Sequence, residues 1–188
     1  MPARIPKEFL LSCLCIAVLS TGCGGAKGGN AGGDLSPGAV ELSTTEQAEF
    51  YMEKAGLALS EDDKQGALEF YLEAAAVYDR GGEVTIDRAE AHFLSADLAY
   101  QVGEKMQAVQ EYDKAVKIYL RFTGNSKIKA AVALNNMGAL YKGMEEYEKA
   151  RNCWENALQI YKAAPPKLQS PRNMAKIQQN LSDLHESY

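Results

Sequence analysis

The sequence predicts an all-α chain built as a stack of antiparallel helix hairpins. Three observations predict it. A stripe of alternating alanines and aromatic rings recurs three times at helical spacing, at intervals of 41 and then 42 residues. From Glu46 onward no strand-like alternation of polar and apolar residues occurs. The helix-period stretches are separated only by short turns rich in Gly, Asp or Pro.

The totals agree with one domain plus an extension. Of 188 residues, 46% are hydrophobic and 24% charged, enough to bury a core. Net charge is −5, and no basic run follows Lys7, so no nucleic-acid partner is expected.

The N-terminus comes first. Residues 1–8 carry Arg4 and Lys7, and residues 9–19, FLLSCLCIAVL, are apolar. That run is shorter than the roughly 20 apolar residues a bilayer span needs. Ser20, Thr21 and Gly22 then precede Cys23. Basic, apolar, small and cysteine is the order of a secretion signal over residues 1–22. It resembles the bacterial lipoprotein signal, matching at Thr21, Gly22 and Cys23 and departing at Ser20, with the leucine one place early at Leu19. The resemblance implies lipidation of Cys23, by palmitate among other acyl groups. Gly24 rather than Asp follows, which in that family implies an outer-membrane lipoprotein facing the periplasm. Several acyl chains anchor stably where one does not.

Residues 23–43 are then a tether, with six glycines between Gly24 and Gly33. A phosphate-binding loop is excluded, because no GxxxxGK[ST] pattern occurs. Cys13 and Cys15 leave with the signal and Cys23 carries lipid. Cys153 is the one that remains, so neither a disulfide nor a cysteine metal site is expected.

The domain at 44–188 begins with a helix start near Thr44, where Thr44 and Gln47 can form a capping box. The stripes follow. GALEFYLEAAAVY places Ala67, Tyr71, Ala74 and Tyr78 on one helical face; QAVQEYDKAVKIY does so with Ala108, Tyr112, Ala115 and Tyr119. KARNCWENALQIY repeats the pattern with Ala150, Trp154, Ala157 and Tyr161. A small residue stands 12 positions before the first alanine of each stripe: Ala55, Ala96 and Gly138. There the two helices of a hairpin are expected to cross most closely. The turns SEDDKQG, QVGEKMQ and KGMEEYE are short, so paired helices must be antiparallel neighbours. A last segment from Pro171 to 187 opens with a Ser170 cap and Pro171 at the first helical position. It puts Asn180 in register with Asn136 and has no second helix, as a capping helix would. Seven helices are predicted.

These residues resemble the tetratricopeptide repeat (TPR). Leu134, Met137, Gly138, Tyr141, Ala150, Trp154 and Ala157 carry the resemblance in the third repeat, and Ala96, Gly103, Ala108, Tyr112 and Ala115 in the second. Lys54 and Ala58 depart from it in the first. The long period resembles the variant found in kinesin light chains. The resemblance implies a right-handed α-solenoid of three repeats, at about 46–82, 86–124 and 127–164, closed by the capping helix. It also implies a concave peptide groove formed by the first helices. In repeat one its positions are Glu49, Met52, Glu53 and Gly56; in repeat two, Glu90, Phe93, Leu94 and Asp97; in repeat three, Val132, Asn135, Asn136 and Ala139. Asn amides suit a peptide backbone, and the carboxylates suit a cationic ligand.

Chemistry is harder to find. His92 and His185, the two histidines, have no partner at repeated metal-ligand spacing, so no metal and no cofactor is expected. No GxSxG serine occurs. The pairs Asp62-Asp63 and Glu145-Glu146 fall in predicted turns, where a solvated helix start is the simpler reading. The expected function is therefore binding: a lipid-tethered scaffold for protein or peptide partners, not an enzyme. The alternatives are an envelope hydrolase, which needs two carboxyls sharing a cleft, and a small-ligand sensor, which needs a closed pocket.

Overall fold

Ser43 opens the first helix. Its hydroxyl accepts the Glu46 N–H at 3.3 Å, and the Glu46 carboxylate accepts the Ser43 N–H at 2.9 Å. The capping box thus forms one residue before the Thr44–Gln47 pair, because a carboxylate is a better acceptor than an amide at a helix N-terminus. The computed structural model describes residues 42–185. The signal, Cys23, most of the tether, and residues 186–187 of the capping helix lie outside the described residues.

Among the described residues seven α-helices follow in order: α1 Thr44–Ser60, α2 Lys64–Gly81, α3 Ile86–Val102, α4 Lys105–Tyr119, α5 Asn125–Lys142, α6 Tyr147–Ala163 and α7 Pro171–His185. A single 3-10 turn, Pro166–Leu168, precedes α7. No strand occurs among the described residues, and none of these helices is long and apolar enough to cross a membrane. The ends are set by local chemistry. Asp63 caps α2 by accepting the Gly66 N–H, Thr85 caps α3 through Arg88 N–H, and Ser170 caps α7 through Asn173 N–H. Gly82 stops α2 at φ 72°, a left-handed conformation that glycine adopts without strain.

Helices pack as a right-handed α-solenoid, each against its neighbours in the chain. The hairpins α1–α2, α3–α4 and α5–α6 have the closest pairings, and α7 closes the stack against α6. The three tight turns share one backbone solution. Asp63 N–H donates to Ala58 C=O, Glu104 N–H to Ala99 C=O and Glu146 N–H to Tyr141 C=O, at 2.8–2.9 Å. Asp62, Gly103 and Glu145, one residue earlier in each turn, all take positive φ.

The stripes form the core. Ala67, Tyr71, Ala74, Ala108, Tyr112, Ala115, Ala150, Trp154 and Ala157 are all buried, as is Gly138. At the hairpin crossings, ring size and backbone size are matched. Ala55 and Ala96 stand at the register where α5 has Gly138, and their hairpins present Tyr71 and Tyr112 where α6 presents Trp154. A Cβ on Gly138 would lie 2.7 Å from the Trp154 ring carbons Cδ1 and Cε2, so the larger ring requires the bare backbone. The indole also donates to the Asn135 carbonyl at 3.2 Å.

Candidate peptide-binding groove

The first helices α3 and α5 carry the polar residues of the groove, and α7 completes it. Asp97 of α3 and Asn136 of α5, 39 positions apart, fall side by side across the two helices. Asp97 of α3 receives the Tyr112 hydroxyl proton and, at 3.4 Å, the Asn136 amide of α5. Asn136 also donates to the Tyr112 oxygen at 3.1 Å. Burial lifts the Asp97 carboxyl above the ordinary carboxylate value, while the Tyr112 and Asn136 hydrogen bonds pull it back. The Tyr112 phenol is raised as well, by burial and by its carboxylate partner.

This trio borders an open cavity of about 470 Å³. Asn135, Asn136 and Ala139 line it, and Lys142, Lys176 and Asn180 bring in the end of α5 and the capping helix. Asn135 Oδ1 is buried without a hydrogen-bond partner, an unused acceptor that costs free energy unless a ligand or water donates to it. Asp97 is the one carboxylate of the lining, so two carboxyls do not meet there.

Other groove positions behave differently. Phe93 packs edge-on against Tyr112 and Tyr119, with centroids 5.6 and 6.4 Å away, so its ring belongs to the core surface. Met52 and Leu94 also pack on the core. Glu90 accepts from Tyr119 and Lys129, which neutralises it. Glu49, Glu53 and Gly56 are exposed on α1, and Val132 is half-buried on α5. Four of the twelve named groove residues, Asp97, Asn135, Asn136 and Ala139, thus meet in the cavity. Tyr100, Gln101, Lys142, Lys176 and Asn180 join them. Of these, Asn180 was signalled by its register with Asn136; Tyr100 and Lys142 stand one turn beyond Asp97 and Ala139.

Two further features lie elsewhere. A cavity of about 780 Å³ between α4, α5 and α6 is lined by Val116, Leu120, Leu134 and Ile160 with Lys127, and by none of the groove residues above. His92 is buried between two carboxylates, with Nδ1 2.6 Å from Glu111 Oε2 and Nε2 3.1 Å from Asp79 Oδ1. Both ring nitrogens are engaged, leaving none to act as a base or to bind metal. No group of metal-ligating side chains occurs among the described residues. Burial and the nearby Asp113 charge push the Cys153 thiol up to about 11, which keeps it an unreactive thiol.

The family model of the soluble NSF attachment proteins (SNAP) matches residues 43–188. The chain belongs to the SNAP family. Protein KINESIN LIGHT CHAIN-RELATED 2 of Arabidopsis thaliana is 32% identical over 97 residues, which are 50% of this chain and 15% of that protein. Among solved structures, BtubC (BKLC) from P. vanneervenii superposes with a TM-score of 0.67 at 20% identity, over 79% of this chain and 59% of that one. The apo form of RapI gives 0.63 at 20% identity, over 79% and 51%, and the Arabidopsis OM64 TPR domain 0.54 at 18%, over 78% and 100%. This SNAP-family chain is thus a TPR-like helical-repeat protein. It spans a small part of the curated relative and just over half of the first two structures.

Proposed function

We propose that the protein is an adaptor that holds an extended peptide of a protein partner in the groove between α3, α5 and α7, while lipid on Cys23 keeps it at the cell envelope. The helical-repeat fold is typical of protein-interaction scaffolds. The observation that carries the peptide reading is the unsatisfied Asn135 Oδ1, buried beside the Asp97–Tyr112–Asn136 trio. A peptide N–H donated to that oxygen would remove its desolvation penalty, and Asn180 and Gln101 could serve the peptide's other backbone groups. The family description names an attachment protein, which supports an adaptor role.

A photo-crosslinking residue at the exposed Ala139 should capture a protein in cells, whereas one at the exposed Asn152 on α6 should not. Asn135→Leu should abolish the capture. Equal capture from both positions, or capture unchanged by Asn135→Leu, would refute the groove. The anchor is tested separately: palmitate labelling and membrane recovery should vanish with Cys23→Ala, and labelling that persists would refute lipidation at that cysteine.

A further inference from the structure

The first hairpin and the two stretches around the 780 Å³ cavity carry opposite charge. Residues 44–81, the first hairpin, hold nine Asp/Glu against three Lys/Arg. Stretches 114–144 and 156–182 hold ten Lys/Arg and no Asp/Glu. Every residue lining the 780 Å³ cavity comes from those two basic stretches. Its interior is apolar: Val116 and Leu134 are buried there, Ile160 is half-buried, and Leu120 is 44% exposed. Lys127 lines it, while Arg121 and Lys162 directly adjoin lining residues in the chain. A largely apolar cleft with Lys127 in its lining and Arg121 and Lys162 beside it favours an apolar side chain that arrives among carboxylates.

The first hairpin presents such an edge. Leu57 is 60% exposed, one turn after Glu53 and one turn before the acidic turn Glu61–Asp63. The register explains the exposure. Leu98 and Leu140, the same positions of α3 and α5, are 4% and 3% exposed, because those helices pack against a preceding hairpin. Among the described residues α1 has no preceding hairpin.

We propose that the occupant of the cleft is a second copy of this chain, seated by the exposed Leu57 near the C-terminal end of its α1. The two surfaces differ, so the contact is head-to-tail, and each copy keeps a free edge and a free cleft for further copies. Neither surface includes the groove between α3, α5 and α7, so assembly leaves that groove open.

The test is sedimentation velocity on the full 188-residue chain across a rising concentration series. Mass should grow with concentration at 0.1 M salt and shrink at 1 M, as the screening length falls from about 10 to about 3 Å. Leu57→Glu and Leu120→Glu should each weaken association at least tenfold with unchanged helicity, since both side chains are exposed. If either loses helicity by circular dichroism, Leu57→Gln or Leu120→Gln replaces it. Mixing the two variants in equal amounts should give a dimer and nothing larger, because one intact cleft and one intact edge remain between them. A chain that stays monomeric overturns the proposal. So does a mixture that yields no dimer, or a variant that assembles as well as the parent, which is the result expected if residues 9–19 drove association.

Discussion

The junction between the first two hairpins and the junction between the second and third share a backbone register but not a chemistry. At the first, Asp79, Arg88, His92, Glu111 and Lys114 form a connected polar cluster, with Arg88 Nε and Lys114 Nζ each 2.8 Å from a carboxylate oxygen. At the second, the residues 41 or 42 positions later are Leu120, Ala130, Leu134, Cys153 and Asn156. The first junction fills its space with a fully paired imidazole; the second leaves the cavity of about 780 Å³. Helical repeats therefore dictate where side chains meet, while each junction chooses how they are satisfied. The polar choice gives a directional lock, and the apolar choice gives a cleft open to a partner.

Breaking one member of the polar lock should have the largest effect. His92→Leu leaves Glu111 buried at 5% exposure facing a methyl group, with Lys114 as its remaining partner. Taking a hydrogen-bond partner from a buried carboxylate costs about 3 kcal/mol or more. Urea unfolding should show that loss. Carrying the second junction's chemistry across, with Asp79→Leu and Glu111→Cys added, should recover most of it, since well-packed apolar replacements of buried ion clusters are neutral or stabilising. A His92→Leu variant as stable as the parent would show that the cluster holds nothing together.

Acid should separate the same two designs. Burial raises the Glu111 and Asp79 carboxyls, but the His92 contacts, with Lys114 and Arg88, outweigh it, so both end below their ordinary values. A carboxyl depressed in the fold contributes stability above its unfolded pKa, near 4, and that contribution is lost as pH falls through the folded value. The parent should lose stability steeply below about pH 4, and the variant with Asp79→Leu, His92→Leu and Glu111→Cys more shallowly. Equal slopes in acid titrations followed by circular dichroism would remove the cluster from the account.

The sequence made some of this legible. The stripe of Ala67, Tyr71, Ala108, Tyr112, Ala150 and Trp154 is periodic, so comparing repeats exposes it, and it does form the core. The polar cluster escaped because its members lie on three helices and each becomes apolar or neutral one repeat later. Seeking repetition hides such sites; seeking positions where one repeat is charged and the next is not would have found Asp79, His92 and Glu111 together. The groove was half legible for a related reason. Asn135 and Asn136 were expected in the groove from the resemblance to the repeat family, but Lys142 and Lys176 enter through helix ends and the capping helix, where no repeat fixes the position. Phe93 was read as a groove residue because family position says nothing of ring direction, and Tyr112 and Tyr119 draw its ring onto the core.

A smaller effect sharpens the comparison at the hairpin crossings. Gly138→Ala drives a methyl into Trp154, and overpacking of this kind costs about 1–3 kcal/mol. The second hairpin already pairs Ala96 with Tyr112, so Gly138→Ala combined with Trp154→Tyr should be more stable than Gly138→Ala alone. A double-mutant cycle by chemical denaturation should give a coupling well above experimental error, and additive losses would sink the idea that ring and backbone are matched in size.

The smallest expected change is a gain, at the three tight turns. All three place one residue at positive φ: Gly103 at 93°, and Asp62 and Glu145 both at 62°. For a side-chain-bearing residue that conformation costs roughly 1–2 kcal/mol, less for Asp, whose short polar side chain tolerates it. Glycine escapes the clash but gives up more chain entropy on folding, so Glu145→Gly should stabilise by a net of about 0.5–1 kcal/mol. Asp62→Gly should give less, and Gly103→Ala should cost stability at the one turn already optimised. Midpoints of thermal unfolding for the three variants should therefore rank Glu145→Gly highest and Gly103→Ala lowest. If Glu145→Gly lowered the midpoint, the lost entropy would exceed the relieved clash, and the three turns would not be equivalent despite their shared hydrogen bond.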